Sequence, residues 1–422
     1  MNPPEVGPDR GPATPPAAGP GRRGRTPLTT LPRGPRCVGP PLDVPAWRRV
    51  LAVCVSDASD VVLTTPALHA LRRALRRDAT LDLLVSPAGA AVGPLIADVD
   101  DVVALQTAWQ DVPDPVPLDP RREGELVTLL RVRGYDALIV FTSAGQSPWP
   151  MAYVGYLAGV GVRVGASAET AGSVLSHRVT HLDDDEHQAM RGLSLLAAAG
   201  LTGLAPDPVD AAPPDRLRLR LRPQDQQAAR GLLPPNAVLL LPGAEPPSRR
   251  WTPEGFAEVA AVLAADGHPV RVLGGERNAV LAARIADTAG VPAVPDVLDG
   301  PGTAAAVAQA RLVIGDGGVG MQLAEAFGTP AVTLFSGATS ESRYAPRHGA
   351  AALLRVPTPC SPCGLAVCPF ADGRHEPPCL DIRPGVVVSA ARALLARDDR
   401  DDRKQPDDTG RQDIRGAAAT PD

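Results

Sequence analysis

Short apolar runs and longer amphipathic stretches alternate along most of the chain. Residues 50–55 (VLAVCV) have the length and β-branched content of a buried strand. The polar turn SDASD follows, and then a stretch at 61–75 that brings Leu68, Leu71 and Leu75 onto one helical face, with Arg72, Arg73 and Arg76 mostly elsewhere. Further strands are predicted at 81–85, 101–105 and 137–141, with helices at 123–133 and 184–199, the latter ending at Gly200. After the proline-rich segment 205–214 a second series begins: strand 238–241, helix 253–266, strand 270–273, the pair Gly274-Gly275, and helix 279–288. Strand 312–314, helix 321–327 and strand 331–335 complete it, with Gly328-Thr329-Pro330 forbidding continuation of the helix. Strands alternating with helices predict α/β, doubly wound parallel sheets. Two such series predict two Rossmann-like lobes facing across a cleft, with ligand at the carboxyl ends of the strands, where residues 56–60 lie.

Composition supports this and narrows the function. The 422 residues, 44% hydrophobic, suffice for two cores. The net charge of −5 and the lack of a basic block predict no nucleic-acid partner. Of 42 basic residues 41 are arginine, the single lysine being Lys404, so an arginine where lysine is usual can reflect composition alone. No apolar run is long enough to span a membrane and no signal-peptide core is present, so the expected location is cytoplasmic, compatible with peripheral membrane contact. Residues 1–44, rich in Pro, Gly and Arg, and the charged tail 398–422 read as disordered. The lobes are then 45–215 and 216–397.

The richest candidate site is 311–335, RLVIGDGGVGMQLAEAFGTPAVTLF. A strand running through glycines into a helix presents free backbone N–H groups and the positive end of the helix dipole, an arrangement suited to phosphate. The glycines could equally serve only a tight turn. Cys360, Cys363, Cys368 and Cys379 have a spacing at which four thiolates could hold structural zinc. Disulfides are disfavoured in a cytosolic compartment. His69 and His187 lie near expected functional faces, with packing or surface roles expected of both.

Four ordered stretches resemble glycosyltransferase family 9, the ADP-heptose:lipopolysaccharide heptosyltransferase family. SDASDVVLTTPALHALRRAL is similar to S-x-x-G-D-V-V-x-x-T-P-A-L-x-A-L-R, and LLLPGAEPPSRRWTPEGFAEVAAVLAADGHPVRVLGG to the family's P-G-A and K-R-W-x-P-x-x-F-A-x-L-A. The 311–335 stretch with its continuation resembles H-L-A-A-A-L-G-T-P-V-V-A-L-F-G-x-T, and the segment from PCSPCGLAVC to CLDIRPGVVVSA the cysteine-bearing C-terminal region. The resemblance runs from about residue 50 to 395. It implies a GT-B fold and inverting, metal-independent transfer of a sugar, a heptose in the family's name, from a nucleotide-diphosphate donor in the second lobe. The acceptor would be a glycan or lipid-linked sugar of the cell envelope, held by the first lobe.

Carried over by position, Asp60 is the general base, the alternative being an N-cap for the following helix; Asp57 stands close by. Arg249 falls where the family has a diphosphate-binding lysine, with Arg250 able to share the role. Gly243 would admit backbone to the ligand, and Glu276 is a candidate for a ribose hydroxyl or an exposed helix-start acid. The family carries cysteines here without needing metal for catalysis, so no cofactor is expected and a structural zinc on Cys360, Cys363, Cys368 and Cys379 is the less favoured reading. In D-[ST]-G-P-x-H-L-A the chain has Gly317 for the aspartate, Gly318 for Ser/Thr, Val319 for the glycine, Gly320 for the proline and Gln322 for the histidine, with Asp316 one place early. Ser59 replaces the glycine before the base. The donor-binding set is thus Gly243, Arg249, Glu276, Asp316, Gly317, Gly318 and Gln322. A GT-B sugar-nucleotide epimerase and a non-catalytic scaffold with a decayed donor loop are the competing readings.

Overall fold

The computed structural model describes residues 34–110, 117, 119–170, 172–201, 212–295, 298–371 and 377–402. The first lobe contains β1 (Arg36–Val38), β2 (Arg49–Cys54), α1 (Ala58–Ala74), β3 (Thr80–Val85), α2 (Pro87–Ala90), β4 (Asp101–Ala104), α3 (Pro120–Arg133), β5 (Ala137–Val140), α4 (Trp149–Leu157), β6 (Val162–Ala166), β7 (His177–Thr180) and α5 (Gln188–Ala198). The second contains α6 (Pro223–Arg230), β8 (Val238–Leu241), α7 (Pro253–Ala265), β9 (Val270–Val272), α8 (Gly275–Ala289), α9 (Gly300–Gln309), β10 (Leu312–Gly315), α10 (Val319–Phe327), β11 (Ala331–Leu334), α11 (Glu341–Tyr344), β12 (Ala351–Leu354) and α12 (Pro384–Asp402).

The first sheet has the order β1-β7-β6-β5-β2-β3-β4 and the second β12-β11-β10-β8-β9. Every pairing is parallel except β1 on β7, an antiparallel edge. Both sheets are covered on two faces, which is why their strands read as continuous apolar runs. In β2, Val50, Ala52 and Cys54 enter one core while Leu51 and Val53 enter another. In β8, Leu239 faces the first of these cores, and Val238 and Leu240 face a third beneath α7 and α12. The core shared by β2 and β8 runs from one lobe into the other through α1 and α10, so apolar burial, worth about 1.5–3 kcal/mol per enclosed Leu or Val, also holds the lobes together.

Helix α1 carries Pro66 in its interior, where the missing N–H leaves the Val62 carbonyl without its usual donor. The Thr65 hydroxyl donates to that carbonyl at 2.7 Å and accepts the N–H of Arg218, on the chain leading to the second lobe, at 3.0 Å.

The sequence placed the strongest elements within a few residues. Two boundaries are corrected. Residues 36–38, within the expected disordered extension, pair with β7, and α12 runs four residues past 398. Residues 1–33 and 403–422 lie outside the described residues. Strands β6 and β7 and helices α4, α9 and α12 were not resolved in the sequence reading.

Candidate functional site

Register brings the relevant loops together. Gly315 pairs with both Leu241 and Thr333, so the turns after β8, β10 and β11 emerge at one end of the second sheet. Across from them β2 delivers Asp57 and Asp60. The N-cap of α1 is Asp57, whose carboxylate accepts the Asp60 N–H at 2.9 Å, so Asp60 is not the cap. Asp60 sits in the first turn, 5% exposed, and its Oδ2 accepts the Ser143 hydroxyl at 2.6 Å. Its Oδ1 is buried without a partner. Burial and, next, the Asp57 charge push its pKa up to about 7, against the hydrogen bond from the Ser143 hydroxyl. That value suits a base working near neutrality.

On the opposite lobe, Gly317 (φ 105°) and Gly318 (φ 74°) take left-handed conformations and open the way into α10. The space where their Cβ atoms would stand is empty of protein. Both line an open cleft with about 570 Å³ of space, solvent at its mouth included, together with Asp57 and Ser59 of the first lobe and Arg249, Gln322, Thr333 and Tyr344 of the second. Three of its wall residues carry buried polar atoms with no hydrogen-bond partner: Arg249 Nε, Gln322 Oε1 and Thr333 Oγ1. Such atoms cost about 1–3 kcal/mol each unless something pairs with them, so their convergence marks a ligand site.

Asp316 is 2% exposed and directed inward. Its carboxylate accepts the backbone N–H groups of Gly243 (3.2 Å), Ala244 (3.0 Å) and Trp251 (3.1 Å), which oppose the burial that pushes its pKa up to about 6. It organises the loop rather than offering a free carboxylate. Gly243 (φ 99°) is likewise placed differently from expectation. Its missing Cβ makes room for Asn278, which would lie 2.5 Å from it and whose Nδ2 donates to the Gly243 carbonyl at 3.0 Å. Asn278 reaches there because α8 is kinked at that residue (φ −120°, ψ 15°). The two arginines differ: Arg250 pairs with Glu245 and donates to the Ala244 carbonyl, while Arg249 faces the cavity, its Nη1 donating to the Glu245 carbonyl at 3.3 Å. Glu276 lies in the first turn of α8, and its side chain is outside the described residues.

The histidines are engaged elsewhere. His69 pairs with Asp98 at 3.0 Å, away from this cavity. His187 caps α5, its Nδ1 accepting the Ala189 N–H, so Nε2 carries the proton donated to the Ala345 carbonyl of the other lobe at 3.0 Å. Burial lowers its pKa to about 4 and keeps it neutral. All six cysteines are free thiols: Cys379 is buried, Cys360 exposed, and among the described residues no group of three or more His, Cys, Asp or Glu is placed to hold a metal. Ser143 and Asn278 escaped the sequence reading because neither sits in a recognisable motif, while Thr333 and Tyr344 lie within or just after the 311–335 stretch without having been singled out.

Two facing Rossmann-like lobes with these loops at the cleft define a GT-B glycosyltransferase architecture. Residues 124–372 match the model of glycosyltransferase family 9 (heptosyltransferase), and the chain belongs to that family. It is therefore a glycosyltransferase of heptosyltransferase-like type. Similar solved structures include Escherichia coli ADP-heptose lipopolysaccharide heptosyltransferase II (TM-score 0.63, 18% identity, 83% of this chain and 99% of that one). A family 9 glycosyl transferase from Veillonella parvula DSM 2008 is also similar (0.66, 18%, 85% and 99%), as is E. coli heptosyltransferase WaaC with ADP (0.58, 20%, 82% and 99%). No curated protein sequence matches the chain. No helix among the described residues is long and apolar enough to cross a membrane.

Proposed function

We propose that the chain transfers a sugar from an ADP-activated heptose to a hydroxyl of an envelope glycan or lipid-linked acceptor, with inversion, and that Asp60 is the base. The carrying observation is the group of unpartnered buried polar atoms, Arg249 Nε, Gln322 Oε1 and Thr333 Oγ1, around a glycine turn in a cavity whose first-lobe wall is Asp57 and Ser59, the residues just before Asp60. The donor diphosphate fits the open side of Gly317 and Gly318, at the N-terminus of α10, where backbone N–H groups and the helix dipole favour an anion. Arg249 adds a guanidinium toward the bridging diphosphate, stabilising negative charge as the leaving group departs. The choice of nucleotide and sugar is supported by two WaaC structures, one with ADP and one with ADP-2-deoxy-2-fluoro heptose.

In the step itself, the acceptor hydroxyl approaches Asp60 Oδ1, the oxygen that Ser143 leaves open. Its proton passes to that carboxylate as the acceptor oxygen bonds to the anomeric carbon, and the bond from that carbon to the phosphate oxygen breaks to release ADP. Inversion follows from attack opposite the leaving group. Calorimetric titration with ADP-heptose, GDP-sugars and UDP-sugars tests the donor: binding of ADP-heptose alone is expected, and no binding by any of the three would refute the donor site.

A further inference from the structure

The cysteine-bearing segment, which the transfer step does not use, is fastened to the donor site by its backbone. The Cys363 N–H donates to the Gly337 carbonyl at 3.0 Å and the Gly364 N–H to the Ala338 carbonyl at 3.1 Å, so the segment is zipped onto the turn that follows β11. Gly337 permits this closeness: a Cβ there would stand 2.9 Å from Cys379 Cβ and 3.2 Å from Ser361 Cβ. The next two residues reach Ser248, which lies beside Arg249 in the turn Pro247–Arg249 and is 3% exposed. Every polar group of Ser248 is engaged outside its own turn. Its N–H donates to the Ala366 carbonyl at 3.1 Å, its hydroxyl donates to the Leu365 carbonyl at 2.6 Å, and its carbonyl accepts the Ser336 hydroxyl at 2.8 Å. That Ser336 hydroxyl also accepts the Ala338 N–H at 3.1 Å, so its single proton is committed to Ser248.

We propose that Ser248 is a positioning residue for the donor: it ties residues 363–366 and Ser336 to the backbone next to Arg249, and so aims that guanidinium into the cleft. Asp316 holds the loop at Gly243, Ala244 and Trp251, near its two ends, whereas Ser248 holds it between them, where Arg249 projects. Within the Arg249 side chain, Nε is buried without a partner and the Nη1 contact with the Glu245 carbonyl, at 3.3 Å, is long, so the aim of the guanidinium is set largely by the backbone that carries it. The cysteine-bearing segment thus serves the donor site through peptide groups rather than thiols. This role rests on the reading of Arg249 as the group that meets the donor diphosphate.

The test is a double-mutant cycle on the full chain, read as ADP affinity by calorimetry. Ser248→Ala leaves both backbone bonds in place and removes the hydroxyl, so ADP binding should weaken about three- to tenfold. In an Arg249→Ala background the same change should bring little further loss, because the group that Ser248 aims is gone. A purely structural role would lower the thermal midpoint in both backgrounds and give the same loss of ADP affinity with and without Arg249. That additive outcome, or undiminished binding in Ser248→Ala, overturns the positioning role while leaving the donor site as proposed. If Ser248→Ala does not fold, Ser336→Ala, which removes the donor to the Ser248 carbonyl, carries the same cycle. Undiminished ADP binding in Arg249→Ala overturns the reading of Arg249 and this role with it.

Discussion

The carboxylate of Asp316, at the end of β10, accepts the backbone N–H of Trp251, sixty-five positions earlier, at 3.1 Å. With Gly243 and Ala244 as its other donors, one buried side chain fixes the path of the loop that carries Arg249. Asp316→Ala should strand three buried N–H groups, each costing about 1–3 kcal/mol. The expected result is a lowered thermal midpoint and a donor affinity reduced at least tenfold. Unchanged stability would mean that the loop does not depend on this anchor.

Arg249→Ala should weaken ADP binding by roughly ten- to a hundredfold, the worth of a charge-assisted contact of about 1.5–3 kcal/mol, measured by calorimetry. Arg250→Ala should change affinity far less, because that guanidinium is already committed to Glu245 and the Ala244 carbonyl. Equal losses in the two variants would dissolve the distinction.

Asp60 gives two pH signatures. With Asp60 as the proposed base, kcat/KM should rise with pH through a midpoint near 7 and vanish in Asp60→Asn. The sign for stability is the reverse. A folded pKa raised above the unfolded one means that the native state binds more protons between about 4 and 7, so this group costs stability as pH rises through that window. Asp60→Asn should accordingly raise the thermal midpoint at pH 8 more than at pH 5. A gain that is larger at pH 5 would contradict the buried, raised carboxyl.

Gly243→Ala should destabilise by more than the usual glycine-to-alanine change. Its backbone is left-handed, and the added methyl would meet Asn278. Thermal unfolding should show a loss of about 1–3 kcal/mol, partly recovered in the double variant with Asn278→Ala. Full additivity of the two changes would show that they do not share the site.

What could be read in the sequence follows from range. Strands such as 50–55 and 238–241 are buried on both faces, and their apolar runs announce themselves locally. Gly317 and Gly318 were visible because a strand, two glycines and a helix are contiguous. Asp57 and Asp60 lie too close in sequence for spacing to separate cap from candidate base; the hydrogen bond to the Asp60 N–H separates them. Asn278 and Ser143 act on residues 35 and 83 positions away, and only the fold brings them near. Gly243 and Asp316 were placed in the right neighbourhood, but their contacts, Asp316 with the loop N–H groups and Gly243 beside Asn278, could not be read there, since neither alignment nor composition reveals which way a carboxylate or a missing Cβ points.

Thr65, which compensates for Pro66 in α1, also grips the backbone of Arg218, and Arg220 donates its N–H to the Leu95 carbonyl. The connecting chain is thus riveted to the first lobe as far as residue 220, while α6, beginning at Pro223, already packs on α9 of the second. Whatever pivoting the two halves undergo has only a couple of residues in which to turn. Helix α1, which bears Asp60, thus serves as the doorpost on which the second lobe is hung.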